Sequence, residues 1–137
     1  EAEFVAACTQ FSAWAAFEAA HQISRNLSLR ALKFPHADFH AGQRLLAEAV
    51  YKAASRGHCV LAQAPTGIGK TVGTLCPMLK ALGSGKLDKI FYLSAKTTGR
   101  QTALEATRLL QSSKPDLTLR VLDPLAPAKA CVHPRRF

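Results

Sequence analysis

Acidic residues are scarce in this sequence: nine Asp and Glu stand against 18 Lys and Arg, leaving a formal charge of +9 over 137 residues. A domain so basic is drawn to polyanions, nucleic acid being the commonest, although charge alone selects no partner. Long apolar runs are missing as well. The longest uncharged stretch, residues 4–17, spans 14 residues and includes Thr9, Gln10 and Ser12. That is too short and too polar to cross a bilayer. The chain opens on Glu1-Ala2-Glu3, without the basic start of a signal peptide, so no membrane partner is expected and the cytoplasm is the expected compartment. The four cysteines, Cys8, Cys59, Cys76 and Cys131, form no CxxC pair. No disulfide framework or complete metal site can therefore be read from their spacing. There are no internal repeats.

What is present suits a soluble globular domain, with 48% apolar and 20% charged residues. Phe4, Cys8, Phe11, Trp14, Phe17 and His21 recur at helical spacing, which predicts an amphipathic helix over residues 3–22. Its aromatic face is expected to be core or a contact face. Residues 23–39, broken by Asn26, Pro35 and Asp38, read as a linker. A helix is expected over 41–56, stopped by Gly57. Then come a strand over 58–63, a turn, a helix from Thr71, a strand over 90–94, a helix over 99–112 and a strand over 117–122. Apolar strands alternating with helices predict the α/β class, a parallel sheet covered on both faces. Pro77 should bend the helix that follows the turn, with Gly73 leaving room for its ring.

The turn carries the chemistry. Ala64-Pro65-Thr66-Gly67-Ile68-Gly69-Lys70-Thr71 has the spacing of a phosphate-binding P-loop. A triphosphate needs many donors close together, and Gly67 and Gly69 provide a backbone free to turn its amides inward. The helix beginning at Thr71 aims unpaired N–H groups at the same point. Lys70 can reach the β and γ oxygens, and the Thr71 hydroxyl can ligate Mg²⁺. The expected ligand is ATP with Mg²⁺, and Lys70 and Thr71 are the expected catalytic residues.

Around the loop, Phe34-Pro35, Phe39-His40-Ala41-Gly42-Gln43 and Phe91-Tyr92-Leu93-Ser94-Ala95-Lys96-Thr97-Thr98 fall in one order with the P-loop. This series resembles the front of the first motor domain of superfamily 2 DNA helicases of the DinG/XPD type, over most of residues 34–133. The resemblance implies a RecA-like P-loop fold and an adenine contact by Gln43. It also implies contacts between the segment from Ser94 to Gln101 and the backbone of single-stranded or forked DNA. Lys96, Thr97, Thr98 and Arg100 are the candidates there. His40 stands where the family usually has arginine. Such helicases hold a [4Fe–4S] cluster on four cysteines, the first in a context like Lys129-Ala130-Cys131-Val132-His133-Pro134. On this reading residues 1–33 are an N-terminal helix and linker, 34–122 part of the motor, and 123–137 the start of the iron–sulfur insertion. The Asp-Glu-x-His box is not in the sequence, so the expectation is a piece of a longer helicase that binds ATP without unwinding DNA.

Four residues carry competing readings. Thr98 and Gln101 also fit a capping box. Cys131 by itself cannot hold a cluster, which needs four ligands. Asp123 follows the apolar run Leu119-Arg120-Val121-Leu122, as the metal-organising acid does in compact P-loop kinases and NTPases. That leaves an alternative in which the chain acts on a small molecule through Asp123.

Overall fold

A computed structural model of the chain describes residues 1–124, the Thr97 side chain excepted. Four helices follow one another: α1 (Ala2–Arg30), α2 (Gln43–Arg56), α3 (Lys70–Leu82) and α4 (Thr97–Ser113). Among the described residues there is no strand. The expected α/β parallel sheet is thereby corrected to an all-helical arrangement joined by irregular segments. Residues 58–63, 90–94 and 117–122 have no ladder partner among the described residues. Leu61 and Leu93 are 103% and 90% exposed, and Leu122 is 89% exposed. An apolar run records that a segment is hydrophobic. A sheet also requires a second segment to take up its N–H and C=O groups, which a run does not specify.

The first helix runs further than periodicity suggested. Asn26, expected to break it, instead accepts hydrogen bonds from Arg25 Nε and Nη2 at 3.1 and 3.0 Å. Its side chain is thus kept from competing with the helix backbone. Arg25 Nη1 donates in turn to the Asp88 carbonyl at 3.0 Å. Ser28 is buried and its Oγ accepts from the Thr118 amide at 3.1 Å. These long-range contacts carry the helix through the stretch read as a linker, as far as Arg30.

Elsewhere the boundaries follow local chemistry. Gly57 stops α2 in the left-handed region, and the His58 amide closes the end on the Ala53 carbonyl at 2.9 Å. At α4 the expected capping box does not form. The N-cap is Lys96, and no side chain caps the helix. The Gly99 and Arg100 amides bond the Lys96 carbonyl at 3.1 and 3.4 Å, so the first turn begins before Thr98 can act as its cap. Gln101 Nε2 faces Glu105 Oε1 instead, at 3.3 Å.

The core joins the end of α1 to α3 and α4 through Leu29, Leu32, Cys76, Leu79, Leu82, Leu110 and Leu117. Phe34, Leu87, Ile90 and Leu119 close over it. Packing is close where α1 crosses the end of α3. A Cβ added to Gly83 would lie 2.9 Å from both the Arg30 amide nitrogen and Leu29 Cβ. Arg30 Nε fixes the same crossing by donating to the Gly83 carbonyl at 2.8 Å. Pro77 lies buried inside α3, and its missing amide leaves the Gly73 carbonyl without a helical donor. Gly73 serves packing as well as the proline ring. A Cβ there would sit 3.3 Å from Gln43 Cγ and 3.7 Å from Leu46 Cδ2, so the glycine lets α2 approach α3.

Two outcomes test this packing. Gly83→Ala should lower the urea midpoint by about 1–3 kcal/mol of stability at unchanged m-value, since backbone rather than a flexible side chain must move. Burial pushes the Cys76 thiol up to about 11. In a maleimide pulse read by peptide mass spectrometry, Cys8 and Cys59, both exposed, should label while Cys76 stays protected. The raised thiol pKa also fixes a sign. Its contribution to stability is complete below the unfolded value of 9.0 and is lost as pH rises towards 11.

Candidate nucleotide-binding site

The loop between Ala64 and Lys70 is shaped by two glycines with positive φ, Gly67 at +85° and Gly69 at +76°. Gly69 is also the N-cap of α3. Lys70 and Thr71 therefore open the helix, one residue earlier than expected, and the free amides of its first turn face the loop. Lys70 is exposed. Its Nζ folds back over the loop and donates to the Ala64 and Pro65 carbonyls at 3.0 and 2.7 Å. The ammonium thus lies across the cradle that Thr66 and Gly67 border.

Two contacts from α2 hold the loop. Ile68 is buried and lies against the helix start, where a Cβ on Gly42 would be 3.2 Å from Ile68 Cδ1. Gln43 is 1% exposed. Its Nε2 donates to the Gly69 carbonyl at 3.2 Å, and its Oε1 accepts from the His40 amide at 3.1 Å. A side chain on Gly69 would have to place Cβ 2.4 Å from Gln43 Nε2. The side chain expected to meet adenine is therefore engaged in bracing the loop. Sequence reasoning did not find this role. The only signal was Gly69 and Gly73, one helical turn apart, which marked a face able to take a close neighbour.

Phe34 and Phe39 stack with ring centroids 4.1 Å apart, and His36 meets Phe34 edge-on. Their segment ends at His40, whose amide donates to Gln43, so the segment and the loop are tied to the same side chain.

The candidates for nucleic-acid contact gather at the start of α4. Lys96 and Thr98 are exposed. Thr97 opens the helix, and its side chain lies outside the described ones. Ser94 Oγ donates to the Lys96 carbonyl at 2.9 Å, tucked under Gly99. Arg100 is not a free cation. Its Nη1 donates to both oxygens of Asp123 at 3.1 and 3.2 Å, and its Nε is buried without a partner among the described residues. The Asp123 carboxylate, which the small-molecule reading needs for a metal, is held by that guanidinium. Both side chains are about one-third exposed, at 34% and 32%, so the pair contributes only about 0–1 kcal/mol.

A family model for the DEAD/DEAH box helicase matches residues 44–123, more than half of the chain, from the second residue of α2 through the loop to Asp123, with Gln43 outside the match. The chain belongs to the DEAD/DEAH box helicase family. Comparison with curated proteins gave no match, and neither did comparison with solved structures. The family implies use of ATP and Mg²⁺ and a nucleic-acid partner. The helicase residues present fit the metal. Thr71 is half-buried in the first turn of α3. One protein hydroxyl suffices for an ion that keeps several waters and takes its other oxygens from phosphate. Among the described residues no group of three or more His, Cys, Asp or Glu could hold a metal ion. They do not fit an iron–sulfur cluster, and Cys131 lies outside them. Nor is any described helix long and apolar enough to cross a membrane.

The brace and the base contact can be separated by experiment. Gln43→Ala should weaken binding of inorganic tripolyphosphate as well as ATP, roughly tenfold in each, because the Gly69 carbonyl loses its partner. Loss confined to ATP would show instead that Gln43 reads the adenine.

Proposed function

We propose that this chain is the nucleotide-binding front of an ATP-dependent DNA helicase of the DinG/XPD type. The observation that carries the reading is the position of Lys70, whose ammonium lies over the glycine loop at the start of α3. An anion entering that cradle meets helix amides, inward loop amides and one mobile cation together. ATP is bound by residues 64–71, with Thr71 on Mg²⁺. Adenine is received beside Gln43, near the Phe34–Phe39 stack.

Lys96, Thr97, Thr98 and Arg100 contact the sugar–phosphate backbone of single-stranded or forked DNA, a mode that tracks charge and weakens with salt. Residues 34–122 form the motor portion, preceded by the helix and connection of residues 1–33. In the longer parent, residues 123–137 lead into an insertion whose [4Fe–4S] cluster takes Cys131 as its first ligand. Unwinding in DNA repair, in the cytoplasm, is the activity of that parent. Residues 1–137 by themselves bind ATP, with little hydrolysis and no unwinding.

Isothermal titration of ATP with Mg²⁺ tests the first step. Lys70→Ala should weaken binding at least roughly tenfold, the loss of a charge-assisted contact. Undiminished binding by that variant would overturn the assignment of the loop. Turnover stimulated by single-stranded DNA and abolished by Lys70→Ala would overturn the statement that the chain binds without hydrolysing.

A further inference from the structure

The two helices that frame the glycine loop carry a second group of donors towards their other ends. Tyr51 lies eight residues beyond Gln43 on α2, and Lys80 ten residues beyond Lys70 on α3. About 12 and 15 Å of helix therefore separate them from the loop. With Arg30, the last residue of α1, and Ser84, just past α3, they line a cavity of about 320 Å³. No acid is in its lining.

Each of these side chains can donate a hydrogen bond, and the two cations are fixed by main chain rather than by carboxylates. Arg30 Nε donates to the Gly83 carbonyl at 2.8 Å, and Nη2 reaches the Ser84 carbonyl at 3.5 Å. Lys80 Nζ donates to the Leu32 carbonyl at 3.2 Å. Ser84 Oγ accepts from the Lys86 amide at 3.3 Å, which leaves its own proton for another acceptor. A neutral carbonyl fixes the position of a cation without cancelling its charge. Arg25, Arg44, Arg100, Lys114 and Arg120 each face a carboxylate. Among the described residues Arg30 and Lys80 do not. Donors are also left over, since a guanidinium has five N–H groups and an ammonium three. Tying α1 to α3 accounts for the bonds that are made, but not for two like charges set on one cavity without an acid.

A cleft lined by one sign of charge draws the opposite ion, and guanidinium, ammonium and hydroxyl donors together suit a phosphate. Tyr51, 41% exposed, adds an aromatic ring beside them. Cations that hold a backbone, next to a ring on which a base stacks, are the elements of single-strand binding. All four residues are exposed. The cavity is thus an open groove that a strand can enter and leave, rather than an enclosed pocket for a free nucleotide.

We propose that this groove holds one nucleotide of a single-stranded nucleic acid, its phosphate on Arg30 and Lys80 and its base on the Tyr51 ring. Neither Lys70 nor Lys96 lines it, so it is a contact in addition to the loop and the start of α4.

Anisotropy of a labelled oligothymidylate, titrated with the 137-residue chain in the absence of ATP, tests the groove. Lys80→Gln should weaken binding about tenfold and lower the salt slope of log K by about 0.7, the release of one phosphate's counterions. Tyr51→Leu should weaken it at least about fivefold, whereas Tyr51→Phe, which keeps the ring, should bind like the unaltered chain. Arg30 is left in place because it also ties α1 to α3. Unchanged urea midpoints check that the variants fold. In the unaltered chain, bromouracil placed in the oligonucleotide should photo-cross-link to the peptide holding Tyr51, read by mass spectrometry. Lys96→Ala tests the start of α4 separately, and its loss should add to that of Lys80→Gln.

Unchanged affinity and salt slope in Lys80→Gln, or cross-links confined to the peptide around Lys96, would overturn the groove and leave α4 as the contact. Loss in Lys80→Gln with full binding by Tyr51→Leu would overturn the stacked base and reduce the groove to an anion site. Thymidine monophosphate that competes as well as the strand would overturn the strand as ligand, in favour of a free nucleotide.

Discussion

The candidate site depends on how closely α2 can approach the start of α3. Gln43 spans that approach, taking the His40 amide on one side and giving to the Gly69 carbonyl on the other. The contact is possible only because residues 69 and 73 lack side chains on the face that Gln43 occupies. A buried amide with both ends satisfied rigidifies what it joins, and one left unpaired is costly. The glycine loop is therefore fixed against α2 at its last residue, while its free amides and the Lys70 ammonium stay on the open side. The loop is thus braced at Gly69, and the lysine that opens α3 folds back on the Ala64 and Pro65 carbonyls.

The same brace ties the loop to the stretch before α2. His40 follows the stacked Phe34–Phe39 pair, and Phe34 also closes over the main core beside Leu29, Cys76 and Leu117. A displacement of Gly69 would thus be felt through Gln43 at the aromatic stack, and through the stack at the core. Such a path joins the stacked aromatics to the glycine loop. It is carried by packed side chains and two hydrogen bonds.

Local chemistry was legible in the sequence, and long-range pairing was not. Gly57 ending α2, and Gly67, Gly69 and Lys70 forming the loop, follow from what those residues do within a few positions of themselves. The family match over residues 44–123 takes in the P-loop and the segment from Phe91 to Thr98. The extent of α1 was missed because Asn26 is neutralised by Arg25, whose own orientation is set by Asp88, 63 positions away. The capping box expected at Thr98 does not form, because Ser94 and the Lys96 carbonyl start the turn earlier. The sheet was inferred from apolar runs, and no described segment pairs with them. The pairing of Arg100, a candidate for DNA contact, with Asp123 was not legible because the two are 23 positions apart.

That last pairing matters for how charge is distributed at the edge proposed to meet DNA. A guanidinium sharing one nitrogen with two carboxylate oxygens still has donors to offer, and a pair one-third exposed is held by little energy. A phosphate approaching the start of α4 would meet Lys96 in the open and Arg100 already opposed by an acid. The two cations are therefore not equivalent. Lys96 stands exposed, whereas a ligand of Arg100 would have to compete with Asp123. An excess of basic residues over acidic ones describes the first kind of cation and overstates the second. The +9 of this chain therefore counts Arg100 as fully as Lys96, although an acid already stands against it.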